Sequence, residues 1–281
     1  MPYTTLIQAD ELIPLLDQPD CRVIDCRHDL AQPDAGEAAY RQGYIPGALF
    51  LHLDRDLSGP KTGRNGRHPL PDPAELAARL GLCGIGPGTQ VVAYDDHGGM
   101  FAVRLWWLLR WLGHDTVAVL DGGLGAWRKS GQSLVQGSVE YAPALFNGQP
   151  SELTLTADDI LRQIEQPRWQ LLDARAPDRF RGENETLDPV GGRIPGALNR
   201  FFRSNLDAEG RFKSAKQLRQ DFTAVLGERE PEQVVHQCGS GVTACHNLLA
   251  MEVAGLKGSR LYPGSWSEWC SDPARPILTG A

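Results

Sequence analysis

The segment Val234-Val235-His236-Gln237-Cys238-Gly239-Ser240-Gly241-Val242-Thr243-Ala244 has the make-up of a reactive loop. An apolar run leads into a cysteine, a short loop with two glycines follows, and a helix-competent stretch runs from Ala244 to Val253. A strand that passes through such a loop into a helix puts Cys238 at the carboxyl edge of a sheet, where open α/β folds bind ligands. Gly239 and Gly241 let the backbone curl so that successive N–H groups point at one centre. Those donors and the helix N-terminus stabilise a thiolate, an anion or a cysteine-bound persulfide. Cys238 is the expected nucleophile, and Gly239, Gly241, Val242 and Thr243 the expected substrate cradle. Ser240 adds a hydroxyl that can donate to a carbonyl or carboxylate oxygen.

Other chemistries fit less well. A cysteine phosphatase needs an arginine six residues after its cysteine, and Ala244 stands there. No C-x-x-C or H-E-x-x-H spacing occurs, and His236/Cys238 or Cys245/His246 alone make no zinc site. No metal or organic cofactor is implied. Cys21, Cys26, Cys83, Cys245 and Cys270 lack the loop context and read as structural thiols. Six cysteines in 281 residues are too few for a disulfide framework. With no recognisable leader at the N-terminus, a cytoplasmic protein is expected. Lys and Arg total 28 against 35 Asp and Glu, a formal charge of −7, and no basic run suggests nucleic acid. The most apolar stretch, Phe101 to Leu112, carries Arg104 and Arg110 and falls well short of the roughly 20 residues of a membrane span. Its Trp106, Trp107 and Trp111 read as core.

The elements that position the loop come in duplicate. Residues 9–27 and 157–175 match at an offset of 148, with Asp25/Asp173 and Arg27/Arg175 among the identities. IPGAL recurs at 45–49 and 194–198, VVAYDD at 91–96 faces VVHQCG at 234–239, and Trp127 and Trp269 close the halves. A period of about 145 is too long for a solenoid and implies two homologous domains. The expected division is 1–135, a linker at 136–153, and 154–281. Within each half short apolar runs alternate with amphipathic segments, which predicts α/β domains, each a mainly parallel sheet flanked by helices. Thr156 reads as an N-cap, followed by a helix whose apolar face is Ile160, Leu161 and Ile164. With the VV pairs in register, Asp95 stands opposite Cys238, and a carboxylate cannot take the place of a thiolate nucleophile. The first half is therefore expected to be non-catalytic and the second catalytic.

The paired D-x-R strands, both IPGA motifs and the CGSGVTAC loop make the chain resemble the tandem-domain rhodanese superfamily over nearly its whole length. That superfamily comprises the thiosulfate and 3-mercaptopyruvate sulfurtransferases, and the loop most resembles the mercaptopyruvate branch. The resemblance implies two rhodanese-like domains and sulfur transfer from 3-mercaptopyruvate through a Cys238 persulfide, with release of pyruvate. Thiosulfate is the alternative donor, and a non-catalytic persulfide carrier or interaction module the alternative role. Acceptors would be a thiol, such as thioredoxin or a small thiol, or cyanide. Three positions match family residues that assist proton transfer: Ser240, His68 in His68-Pro69-Leu70-Pro71, and Asp54 in Leu53-Asp54-Arg55. Arg179 matches the family's substrate-binding arginine, and its fork suits a planar carboxylate. Asp188 departs from the pattern, standing where the best-known mercaptopyruvate enzymes carry a second arginine. Arg181 and Arg193 are the candidates to replace that cation. Trp266, after Gly264-Ser265, is expected at the cleft or the domain interface.

Overall fold

The computed structural model describes residues 2–280. The chain forms two compact units that do not follow one cut in sequence. The first takes the chain up to Gly59, Leu70–Glu152 and Ala208–Phe212; the second takes Pro60–Pro69, Leu153–Asp207 and the chain from Lys213 onward.

The first unit is built on five strands: β1 (Leu6–Ile7), β2 (Cys21–Asp25), β3 (Leu49–Phe50), β4 (Gln90–Tyr94) and β5 (Val117–Leu120). They pair in the order β1-β5-β4-β2-β3, parallel throughout. The second unit has β6 (Gln170–Asp173), β7 (Leu198–Asn199), β8 (Val234–Gln237) and β9 (Arg260–Leu261), paired in parallel as β7-β6-β8-β9. A parallel bridge from Thr154 to Leu261 stands where β1 stands in the first unit. Both sheets therefore follow one topology, as a duplicated sequence requires. Every residue of β5, β6 and β8 is buried, the pattern of parallel strands covered on both faces.

The helices form where the local signals put them. Thr156 caps Ala157–Glu165: its hydroxyl accepts from Asp159 N–H at 3.2 Å, and the Asp159 carboxylate accepts from Thr156 N–H at 2.9 Å. Its buried residues are Ala157, Ile160 and Gln163, with Ile164 packed against the core; Leu161 is exposed, because one step along a helix turns a side chain by about 100°. Ala102–Trp111 is buried almost all round, and Trp106, Trp107 and Trp111 are core side chains. Residues 136–153 carry no helix, but up to Glu152 they belong to the first unit. Ala144, Gln149 and Ser151 donate backbone hydrogen bonds to Gly81, Leu112 and Trp111.

The repeated D-x-R motif makes the same structure twice. Arg27 folds back on Asp25 at 2.6 Å and donates to the Gly43 carbonyl; Arg175 does the same to Asp173 at 2.7 Å and to Gly192. All four side chains are buried. A buried guanidinium persists here because a carboxylate and a carbonyl together take its Nε and Nη2 donors.

Candidate functional site

In the second unit β8 delivers Cys238 to the carboxyl edge of the sheet, and the helix Ala244–Val253 starts six residues later. Cys238 is 1% exposed. Its N–H donates to Ser265 Oγ at 3.1 Å, and its carbonyl accepts from Trp266 N–H at 3.0 Å. Gly239 carbonyl accepts from Ser267 N–H at 2.9 Å. The 263–267 turn thus holds the loop by its backbone. Ser265 has φ +53°, the one non-glycine with positive φ among the described residues. That left-handed conformation costs energy for a residue with a Cβ and persists only where surrounding contacts enforce it. Here Ser265 Oγ is held between Cys238 N–H and the Tyr262 carbonyl.

The two loop glycines are needed for different reasons. Gly241 has φ +78°, and a Cβ there would sit 2.3 Å from the Pro263 carbonyl oxygen. Gly239 is not left-handed; a Cβ there would sit 2.8 Å from Arg67 Nη2 and 3.6 Å from Arg179 Nη2. Gly241→Ala is therefore expected to lower stability by about 2–4 kcal/mol, from left-handed strain plus a backbone clash. Chemical denaturation followed by circular dichroism checks this; a loss below about 1 kcal/mol would contradict the clash.

Ser240 and His68, both buried, meet with Oγ and Nδ1 2.7 Å apart. Pro60–Pro69 belongs to the second unit, which is how residues 172 apart in sequence share a site. Arg179 is 20% exposed and gripped by Glu185 through Nε and Nη2 at 2.8–3.0 Å, with Asp188 at 3.5 Å. Burial alone would raise the Glu185 carboxyl, but Arg179 and the Leu187 and Asp188 N–H groups outweigh it and hold it below the usual range. Arg175 lies over the Trp266 ring at 4.5 Å. Burial works against its charge, but Asp173, Glu185 and Cys238 outweigh burial and keep the guanidinium charged. Trp266 is fully buried and belongs to the hydrophobic core of this unit rather than to an open cleft. His236, two residues before the cysteine, is fully buried; burial pushes it down to about 3, so it is a neutral strand residue.

Asp54 falls in the first unit, with its carboxylate 3.8 Å from His28 Nε2. His28, His52 and Asp54 bring potential ligand atoms within 4.8 Å of one another. His52 Nδ1 already accepts from Asp54 N–H, however, and its Nε2 faces the Pro33 carbonyl, so the ring has no lone pair to give a metal.

Arg67 is the site residue that sequence reasoning missed. Its N–H donates to Ser267 Oγ at 3.0 Å, its Nη1 pairs with Asp188, and its Nη2 reaches Gly239. Arg181 instead pairs with Glu183, and Arg193 lies against Phe180 and the Gly280 carbonyl. The available signal was position: Arg67 immediately precedes His68, which the sequence had singled out.

The first unit shows what such a loop holds. Asp95, fully buried at the end of β4, accepts from the N–H groups of His97 and Gly99 through Oδ1 and of Phe101 and Ala102 through Oδ2, all at 2.7–2.9 Å. The converging amides form an anion cradle, filled there by the chain's own carboxylate. A profile of the rhodanese-like domain matches residues 8–130 and again 156–272. The chain belongs to the rhodanese family. Among its relatives in that family, a Pseudomonas aeruginosa protein named "Probable 3-mercaptopyruvate sulfurtransferase" is 50% identical over 100% of both chains. The bovine thiosulfate sulfurtransferase is 34% identical over 89% of this chain and 85% of its own. The rhodanese fold described for SseA of Escherichia coli, a 3-mercaptopyruvate sulfotransferase, superposes with a TM-score of 0.82 at 32% identity, over 94% of this chain and 99% of that one. As in that fold, each rhodanese unit here is a parallel sheet flanked by helices.

Proposed function

We propose that the chain transfers sulfur from 3-mercaptopyruvate to a thiol or cyanide through a persulfide on Cys238. The observation that carries this reading is a buried cysteine in a glycine loop at a helix start, with Ser240 and His68 in contact beside it. The full-length likeness to the Pseudomonas aeruginosa protein supports the donor. Cys238 thiolate attacks the donor sulfur, the C–S bond breaks, and its electron pair passes to the carbon as the pyruvate enolate. The donor's thiol gives up its proton, which passes through Ser240, with His68 as its proton partner, to the enolate carbon, and pyruvate leaves. The outer sulfur stays on Cys238, its negative charge facing the loop amides. A thiolate acceptor, from a small thiol or a thioredoxin, then attacks that sulfur and regenerates Cys238; cyanide would leave as thiocyanate.

All six cysteines are free and buried, which suits a reducing, cytoplasmic setting. No described helix is long and apolar enough to cross a membrane. Thiosulfate is the second reading, since the bovine relative carries that name. Donor alone should add about 32 Da, one sulfur atom, to Cys238 by mass spectrometry, as a covalent intermediate requires. The relative kcat/KM of the two donors then decides between them: a far larger value for thiosulfate would overturn mercaptopyruvate.

Arg179 is proposed to hold the donor's carboxylate. Arg179→Glu should raise KM for 3-mercaptopyruvate by about tenfold or more, the loss of one charge-assisted contact plus a repulsion. An unchanged KM would remove Arg179 from the site.

A further inference from the structure

The loop itself has no side-chain cation, yet two guanidinium groups converge on Gly239, and only Arg179 was expected there. Arg67 comes from a segment that belongs to the second unit although it lies more than a hundred residues before the loop. It is built into place from three directions. Its N–H is held by Ser267 Oγ, while the Ser267 N–H holds the Gly239 carbonyl, so backbone and loop share one anchor. Its Nη1 pairs with Asp188, whose side chain is 3% exposed. The next residue, His68, meets Ser240. Arg67 and His68 thus address Gly239 and Ser240, consecutive residues meeting consecutive residues.

Each guanidinium is tethered on one side and open on another. Asp188 takes Arg67 Nη1 and leaves Nη2 over Gly239. Glu185 takes Nε and Nη2 of Arg179, whose Nη1 lies 3.7 Å from the Gly239 Cβ position. The carboxylates fix the direction of each fork before any ligand arrives, which reduces the ordering cost of binding. Burial raises the Asp188 carboxyl against the pull of Arg67 and Arg179. The Arg67 side chain keeps 29% of its surface exposed, so it can meet an incoming ligand.

We propose that Arg67 is a donor-binding residue that, with Arg179, receives the carboxylate of a 2-oxo-acid thiol above Gly239. Asp188 acts through Arg67 as a positioning residue, and the lack of a side chain at Gly239 is what lets the Arg67 fork reach the loop. The inference rests on the proposed transfer reaction.

The test is donor kinetics on the full chain with 3-mercaptopyruvate, comparing wild type with Arg67→Gln, Arg67→Lys and Gly239→Ala. Gly239→Ala leaves the backbone unstrained and displaces only the end of the Arg67 side chain, so it probes the same contact in a folded protein. Arg67→Gln and Gly239→Ala should raise KM by about tenfold or more with kcat within about threefold, the signature of lost ground-state binding, and Arg67→Lys should fall between. The inhibition constant of pyruvate, which carries the carboxylate but no sulfur, should rise in parallel. An unchanged KM in Gly239→Ala and Arg67→Lys, or a fall in kcat alone, would overturn the role of Arg67. Failure of the wild type to form the Cys238 adduct would instead overturn the reaction.

Discussion

Cys238→Ser is expected to take sulfur transfer from either donor to background, a loss of at least about 10³-fold in kcat, as removal of a covalent nucleophile requires. The substitution exchanges sulfur for oxygen in a site that is 1% exposed, and the loop contacts of Cys238 run through its N–H and carbonyl. The fold should therefore be kept, and the melting temperature should stay within a few degrees of wild type. A serine oxygen cannot store sulfane sulfur, so donor should leave the mass of Cys238→Ser unchanged while wild type gains its adduct. A Cys238→Ser protein that still turns over 3-mercaptopyruvate at near wild-type rate would place the chemistry elsewhere. It would also leave the Ser240–His68 contact without its proposed task.

Asp95→Ala should destabilise the protein by about 3–5 kcal/mol, the range for breaking a buried charged hydrogen-bond network. The carboxylate satisfies four backbone N–H groups, two of them at the start of Ala102–Trp111, where Phe101 supplies no side-chain cap. That helix buries Trp106 and Trp107. Alanine leaves all four donors without their acceptor in a site closed to water. Asp95→Asn keeps one acceptor oxygen and turns an NH2 group toward two donors, so its loss should be smaller but clear. Urea unfolding measures both; a loss below about 1 kcal/mol for Asp95→Ala would mean that water replaces the carboxylate without cost. The same reasoning accounts for the difference between the units. In the first unit the loop amides converge on a fixed carboxylate, Asp95, and at the matching position of the second unit stands the buried thiol of Cys238.

Much of this was legible in the chain because it depends on local or repeated signals. The apolar run into Cys238, the glycines after it and the helix from Ala244 are contiguous, so their order fixed the strand–loop–helix geometry. The duplication was visible because Asp25/Arg27 and Asp173/Arg175 keep one spacing, and both pairs close the same buried contact. The Thr156 cap was readable for the same reason. Leu161 was misplaced because an apolar residue can satisfy helical spacing and still face water. Trp266 was expected at the cleft or the domain interface, and its place in the core was not legible because a tryptophan after glycine and serine gives no sign of which side its ring faces.

What the sequence alone determined is the family and the parallel α/β plan of each unit, since these follow from neighbouring residues and from comparison of one half with the other. Only the tertiary structure decided how the loop meets its cations. Arg67 and His68 reach Gly239 and Ser240 across more than 170 residues of chain, because Pro60–Pro69 packs into the second unit. It also separated the two glycines, one required by a left-handed backbone and one by the approach of an arginine. Contacts of that kind are set by packing rather than by spacing, and a glycine in sequence looks the same in either case.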